Sequence, residues 1–269
     1  MARMESPSSI NTYHQCPRRY YYSYIEKLPR TDSIHTVRGS LVHTALEKFF
    51  EFDSKLLTEK NYEHILEAIL FDTFNREWRE HYIVLLRVLH GNQLMLHHYH
   101  DETVAMLRNW LHNFFTKLHT HMKTASLQEA FKILTPLREQ RFISAEHNVQ
   151  GFIDAIHENG EGIHLVDYKT SKSDALTGEY KLQLAIYALL YKQNKNILPH
   201  KVGIHFLGSG QEQFLDVNTE LLALAETETK AIQEHTKSNE KKDYPKKPGP
   251  LCKFSSGQCD FYDTCKPFD

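Results

Sequence analysis

The chain has 269 residues, enough for one large domain or for a core with a sizeable insertion. Its 32 lysines and arginines nearly balance 34 aspartates and glutamates, for a net charge of −2. That balance excludes a protein that holds nucleic acid by overall basicity, so such a partner would need a local basic groove. A 41% hydrophobic, 25% charged composition excludes a disordered polyelectrolyte, and no apolar run reaches membrane-spanning length. The N-terminus lacks a signal-peptide apolar segment, which predicts a cytoplasmic protein. Four cysteines in that setting argue for metal binding rather than disulfides, whereas most of the 18 histidines read as helix-surface residues.

In chain order, Ser6-Pro7 opens a helix with Ile10 and Tyr13 on its apolar stripe. Cys16-Pro17 breaks it, because the residue before proline avoids the α region. Arg18 to Ile25 restarts the helix, with Tyr20, Tyr21 and Tyr22 as packing residues or as a platform for nucleic acid. Ser40 to Phe52 is predicted as a helix burying Val42, Ala45, Leu46 and Phe49, with His43 off that stripe. From about 60 to 130 the apolar period is helical: Tyr62, Ile65, Leu66, Ile69, Leu70 and Phe74, then Val104, Leu107, Leu111, Phe114 and Leu118. This stretch carries no catalytic motif and reads as an insertion that widens or covers a groove, with Trp78 and Trp110 as packing anchors.

Arg138 to His147 reads as a strand, with Glu146 as a candidate extra acid. Gly151 to Lys172 reads as two strands joined by a tight turn at Glu158-Asn159-Gly160-Glu161-Gly162. Asp167 and Lys169 share a face. A loop over 159–162 sets Asp154 opposite Asp167, a two-residue loop at Asn159-Gly160 sets it opposite Leu165, and a one-residue slip turns it away. Two carboxylates and a lysine on one face suit a divalent metal and an activated water; alone, Asp-x-Lys is more often a surface salt bridge. Gly178 to Lys192 is predicted as a helix with Gln183 and Tyr187 one turn apart. Lys201–Leu207 and Gln213–Val217 read as strands, and Leu221–Ile232 as a closing helix. A basic, proline-rich connector at 241–250 leads to Cys252, Cys259 and Cys265.

Asp154 followed by Asp167-Tyr168-Lys169-Thr170 resembles the PD-(D/E)XK nuclease core, in the form used by RecB-like nucleases and CRISPR-associated RecB-like exonucleases. Gln183-Leu184-Ala185-Ile186-Tyr187 matches that group's Gln-x-x-x-Tyr motif, and His43, in Arg38-Gly-Ser-Leu-Val-His43, matches its upstream histidine. The resemblance implies an α/β, restriction-endonuclease-like core: a small mixed sheet flanked by helices, with a large helical insertion. It divides the chain into N-terminal helices with Cys16 and His43 (1–55), the insertion (56–135), the nuclease core (136–240) and a cysteine-rich tail (241–269). It implies Mg²⁺ or Mn²⁺ on His43, Asp154, Asp167 and the Tyr168 carbonyl, with Lys169 positioning water and Gln183 and Tyr187 holding DNA. It further implies a [4Fe–4S] cluster on Cys16, Cys252, Cys259 and Cys265. The Cys259–Cys265 spacing matches the group's pattern, while the gap from Cys252 to Cys259 departs from the commoner Cys-x2-Cys. Zinc is the rival for four thiolates.

The expected activity is hydrolysis of DNA phosphodiesters, as an exonuclease on single strands or ends in repair, recombination or CRISPR adaptation, with a helicase or CRISPR adaptation complex as partner. The rival is a non-catalytic iron–sulfur or zinc scaffold that binds DNA on the same fold, against which the intact acid-acid-lysine set argues.

Overall fold

The structure is a computed structural model that describes residues 3–160, 162–254 and 257–269. Helix α1 (Pro7–Gln15) begins at a capping box in which Ser6 and Ser9 satisfy each other's backbone N–H groups. Cys16 is extended (φ −162°, ψ 111°), as its place before Pro17 requires, and the chain then enters α2 (Pro17–Tyr20) and a π-helical turn, Tyr21–Ile25. Tyr20 and Tyr22 are fully buried, so these two are packing residues.

Helix α3 spans Ile34–Phe49, starting six residues before the expected Ser40 and stopping before Phe52. Ser33 and Thr36 form its capping box, and Gly39, just ahead of the expected start, lies inside it. Helices α4 (Tyr62–Glu80), α5 (Tyr82–Val88), α6 (Gln93–Met122) and α7 (Leu127–Leu134) follow. Trp78 and Trp110 are buried, the latter stacked on Phe114 with centroids 5.5 Å apart.

The sheet has five strands in chain order: β1 (Leu137–Ser144), β2 (Val149–Asn159), β3 (Gly162–Lys169), β4 (Lys201–Phe206) and β5 (Gln211–Asp216). All neighbours are antiparallel except β3 and β4, which are parallel and joined by α8 (Gly178–Lys195). Asn196, left-handed at φ 57°, ends α8. Helix α9 (Thr219–His235) packs beside α8. The fold is therefore mixed α/β, as expected.

Each face of the sheet has its own core. One holds Ile10, Ile153, Ile156, Leu165 and Ile204 with the apolar sides of α8 and α9. The other holds Ala155, Val166 and Tyr168 with α3, α4, α6 and α7. The helices of residues 56–135 thus pack as a layer on this face of the sheet. Arg38 on α3, 1% exposed, ties these parts together: one guanidinium nitrogen pairs with Glu102 of α6, and another donates to the Thr170 carbonyl at 3.0 Å. Glu102 also takes Lys172 at 2.9 Å. Among the described residues, no helix is long and apolar enough to cross a membrane.

Candidate active site

The β2–β3 hairpin pairs Asn159 with Gly162 and Ala155 with Val166. Continued one step, that register sets Asp154 opposite Asp167, the outcome expected for a loop over 159–162. Alternation along β2 slips just here, since Ile153 and Ile156 enter the same core although three apart. Opposite Asp154 on β1 stands Glu139, skipped by the ladder and left-handed at φ 46°. A broken ladder of this kind re-aims side chains, and strained non-glycine backbone gathers at functional sites.

Three ligand atoms converge there: those of His43, Glu139 and Asp154, all within 4.8 Å of one another. His43 Nδ1 lies 3.5 Å from Asp154 Oδ1 and 3.6 Å from Glu139 Oε1, and its Nε2 is 3.1 Å from the Tyr168 carbonyl oxygen. The Tyr168 N–H donates to Asp154 Oδ2 at 2.8 Å, which fixes the carboxylate. Burial of His43 opposes its charged form, but hydrogen bonding to Asp154 and Glu139 outweighs it and raises the imidazole to about 10. So much negative character in one pocket suits a hard divalent cation, and the donor set of imidazole, carboxylates and carbonyl fits Mg²⁺ or Mn²⁺.

Asp167 is 2% exposed. Its Oδ2 pairs with Lys169 Nζ at 2.7 Å, and its Oδ1 accepts from Gln183 Nε2 at 2.7 Å and from the Tyr187 hydroxyl at 3.3 Å. Burial, with repulsion from Asp154, pushes Asp167 up to about 6 despite the ammonium beside it. Lys169 loses something to burial too, but Asp167 raises it above its ordinary value, so it stays charged.

The sequence reading has Gln183 and Tyr187 gripping DNA. Tyr187 is 5% exposed and turned inward, and both side chains hydrogen-bond Asp167. The reason is that α8 covers the sheet face, so two residues one turn apart meet the strand carboxylate below. Glu146, the expected extra acid, lies away from this cluster. It is exposed beyond the far end of β1, where it accepts from Gln193 at 3.2 Å. The extra acid is Glu139. The sequence signal for it is its place on β1 facing Asp154, a pairing that only the β1–β2 register reveals.

The four cysteines line one cavity, together with Arg19, Lys246 and Lys247. All four are free thiols. Burial raises the Cys259 and Cys265 thiols, and the nearby Cys16 sulfur adds to both shifts. Among the described residues, no three of these sulfurs form a set within 4.8 Å. Tetrahedral zinc at a Zn–S distance of about 2.3 Å would draw its sulfurs to about 3.8 Å of one another.

A family model described as the PD-(D/E)XK nuclease superfamily matches residues 5–266. One of the subunits of the ATP-dependent helicase/deoxyribonuclease from Carboxydothermus hydrogenoformans is 23% identical over 209 residues, 71% of this chain and 19% of that protein. The chain thus spans about a fifth of that relative's length. Among solved structures, a Eubacterium rectale protein assigned as an exonuclease aligns over 93% of this chain and 86% of its own, with 10% identity and a TM-score of 0.49.

Proposed function

Because the chain belongs to the PD-(D/E)XK nuclease superfamily, we propose that it hydrolyses DNA phosphodiesters with a divalent ion held by His43, Glu139, Asp154 and the Tyr168 carbonyl. The observation that carries this reading is the convergence of those donors beside the Asp167–Lys169 pair. When bound, the ion supplies a Lewis acid for the phosphoryl oxygen and acidifies a water. Asp154 keeps its orientation through the Tyr168 N–H. Asp167 would add a further carboxylate beside the ion, and it holds Lys169 charged, so that the ammonium can orient the water and offset the negative charge that builds up on the phosphate oxygens. Gln183 and Tyr187 are positioning residues: their hydrogen bonds hold Asp167 in place.

For the four cysteines we infer a [4Fe–4S] cluster. The count of four and the shared cavity support it, and the matching Cys259–Cys265 spacing favours it over zinc. The curated relative's name joins a helicase to a deoxyribonuclease, which supports action on DNA ends or unwound single strands beside a helicase.

The test is a time course on end-labelled single- and double-stranded DNA with Mg²⁺, Mn²⁺ or EDTA. Cleavage should need the metal, shorten the strand from an end, and vanish in Asp167→Asn. Cleavage in EDTA, or undiminished cleavage by Asp167→Asn, would overturn the proposal.

A further inference from the structure

An open groove of about 450 Å³ leads away from the metal-ligand cluster, lined by Gly39, Ser40, His43, Thr44, Glu47, Glu139 and Phe152. That volume falls within the ~300–1,000 Å³ range of sites that take a small organic group. One wall is the polar face of α3, where Ser40 and Thr44 present short hydroxyl side chains and Glu47 a carboxylate beside His43. Facing it is Phe152, 52% exposed although it stands in mid-strand on β2. Phe152 lies two residues before Asp154 and, like it, points away from the core that holds Ile153. Its backbone position is thus about 7 Å along the strand from that of Asp154. Arg141, exposed on β1, is paired across from Phe152 and holds Gln150 at 2.6 Å.

A strand whose phosphate is seated at the cluster can continue along this groove, which His43 and Glu139 both line. We infer that Phe152 is a stacking platform for the nucleobase next to the scissile phosphate. This rests on the nuclease reading and deepens it: the base must be unpaired and unstacked to reach the ring, so the substrate class is single-stranded DNA or a melted end. Ser40 and Thr44 offer hydroxyl donors to the sugar–phosphate on the opposite wall, and Arg141 offers a cation to the next phosphate.

The experiment uses the full-length protein and single-stranded oligonucleotides carrying 2-aminopurine, whose fluorescence falls when it stacks. Binding is followed with Ca²⁺ in place of Mg²⁺, and cleavage with Mg²⁺. Phe152→Ala should weaken binding and raise KM roughly five- to a hundred-fold and abolish the fluorescence loss. The melting temperature and the dependence of binding on salt should stay the same. Phe152→Trp should restore both signals, and Phe152→Leu, apolar without a π face, should not. Unchanged binding in Phe152→Ala, full rescue by leucine, or equal losses on blunt duplex and single strand would each overturn the platform. If the wild type cuts nothing, the nuclease reading fails by itself, while the quenching measurement still decides whether a base stacks on Phe152.

Discussion

The carboxylate cluster and the cysteine cavity collect ligands of opposite character by opposite means. Asp154, Asp167 and Glu139 come from adjacent strands of one sheet, His43 comes from a helix packed on that sheet, and each is held by hydrogen bonds or charge partners before any ion arrives. The cysteines come from a helix break at Cys16 and, after residue 245, from a turn at Cys252, a loop at Cys259 and the end of a short helix, Tyr262–Cys265, joined by a few links. These include Arg18 to the Tyr244 carbonyl at 2.7 Å, Lys247 to the His14 carbonyl at 2.8 Å, and Tyr20 stacked on Tyr244. The first site is paid for by the fold. The second gives stability back to the fold when it is filled, because its ligands lie far apart in sequence and their loop closure is entropically costly. Emptying the first should stop chemistry and spare structure; emptying the second should loosen structure and harm chemistry at a distance.

The largest effect that would break this contrast is at Asp167. Asp167→Asn keeps the hydrogen-bond shape but not the charge, and cleavage should fall by at least about 10³-fold, comparable to losing a principal electrostatic group. The variant should fold and melt within a few degrees of the wild type, because relief from keeping a buried carboxylate ionised is offset by leaving the Lys169 ammonium without its partner. A clear drop in melting temperature would show that this site, too, holds the fold together.

Next comes Cys16→Ala. The wild type purified without oxygen should be brown, with about four irons per chain. The variant should lose that iron, melt roughly 5–10 °C lower if 2–4 kcal/mol is lost, and be cut by protease after about residue 240. Full iron content with unchanged melting would refute the joining of these segments through metal, and one colourless zinc per chain would replace the cluster while leaving the nuclease proposal standing.

A smaller effect is graded with pH. His43, raised to about 10 in the metal-free protein, must be neutral to ligate, so binding displaces a proton. Mn²⁺ affinity should climb by close to tenfold per pH unit between 7 and 9, with proton uptake by the buffer seen in calorimetry. For the metal-free fold the sign follows from the raised value: stabilisation by charged His43 is full below its ordinary 6.5 and lost as pH rises through about 10. Asp167, raised to about 6, adds a separate loss between its ordinary 3.8 and about 6. His43→Gln should flatten only the upper window; a His43→Gln protein with the wild-type upper slope would place that titration elsewhere.

The smallest effect is at Tyr187→Phe. It removes the longer of two hydrogen bonds to Asp167 Oδ1 and leaves that of Gln183. A net loss of about 0.5–1.5 kcal/mol predicts a two- to tenfold fall in kcat/KM. Loss of DNA binding with no change in turnover would return Tyr187 to the strand-gripping role expected from sequence.

Local rules make part of this legible. Period two puts Asp167 and Lys169 on one face, the turn residues mark the hairpin, and the amphipathic repeat marks α4, α6 and α8. What stays hidden depends on register and layering. Glu139 joins the cluster only because β1 sets it opposite Asp154 at a strained backbone position, and nothing in Leu-Arg-Glu-Gln-Arg marks that. The true start of α3 is masked by Gly39, a weak helix former, whereas the Ser33–Thr36 capping box and the buried Arg38 outweigh its low propensity. Gln183 and Tyr187 are found by spacing, but the direction they face is set by the sheet beneath them.

Arg38 also bears on modularity. Residues 56–135 have the look of a cassette to be excised or exchanged to reshape the groove, and yet Glu102 within them is the charge partner of Arg38, five residues before His43. A replacement that covers Arg38 but lacks Glu102 would strand a guanidinium inside the protein at a cost of about 3–5 kcal/mol, next to the carbonyl of Thr170 and one residue beyond Lys169. Any replacement cassette must therefore bring its own carboxylate to that spot, or be joined to an Arg38→Met background, which constrains how such helices can be grafted between relatives of this fold.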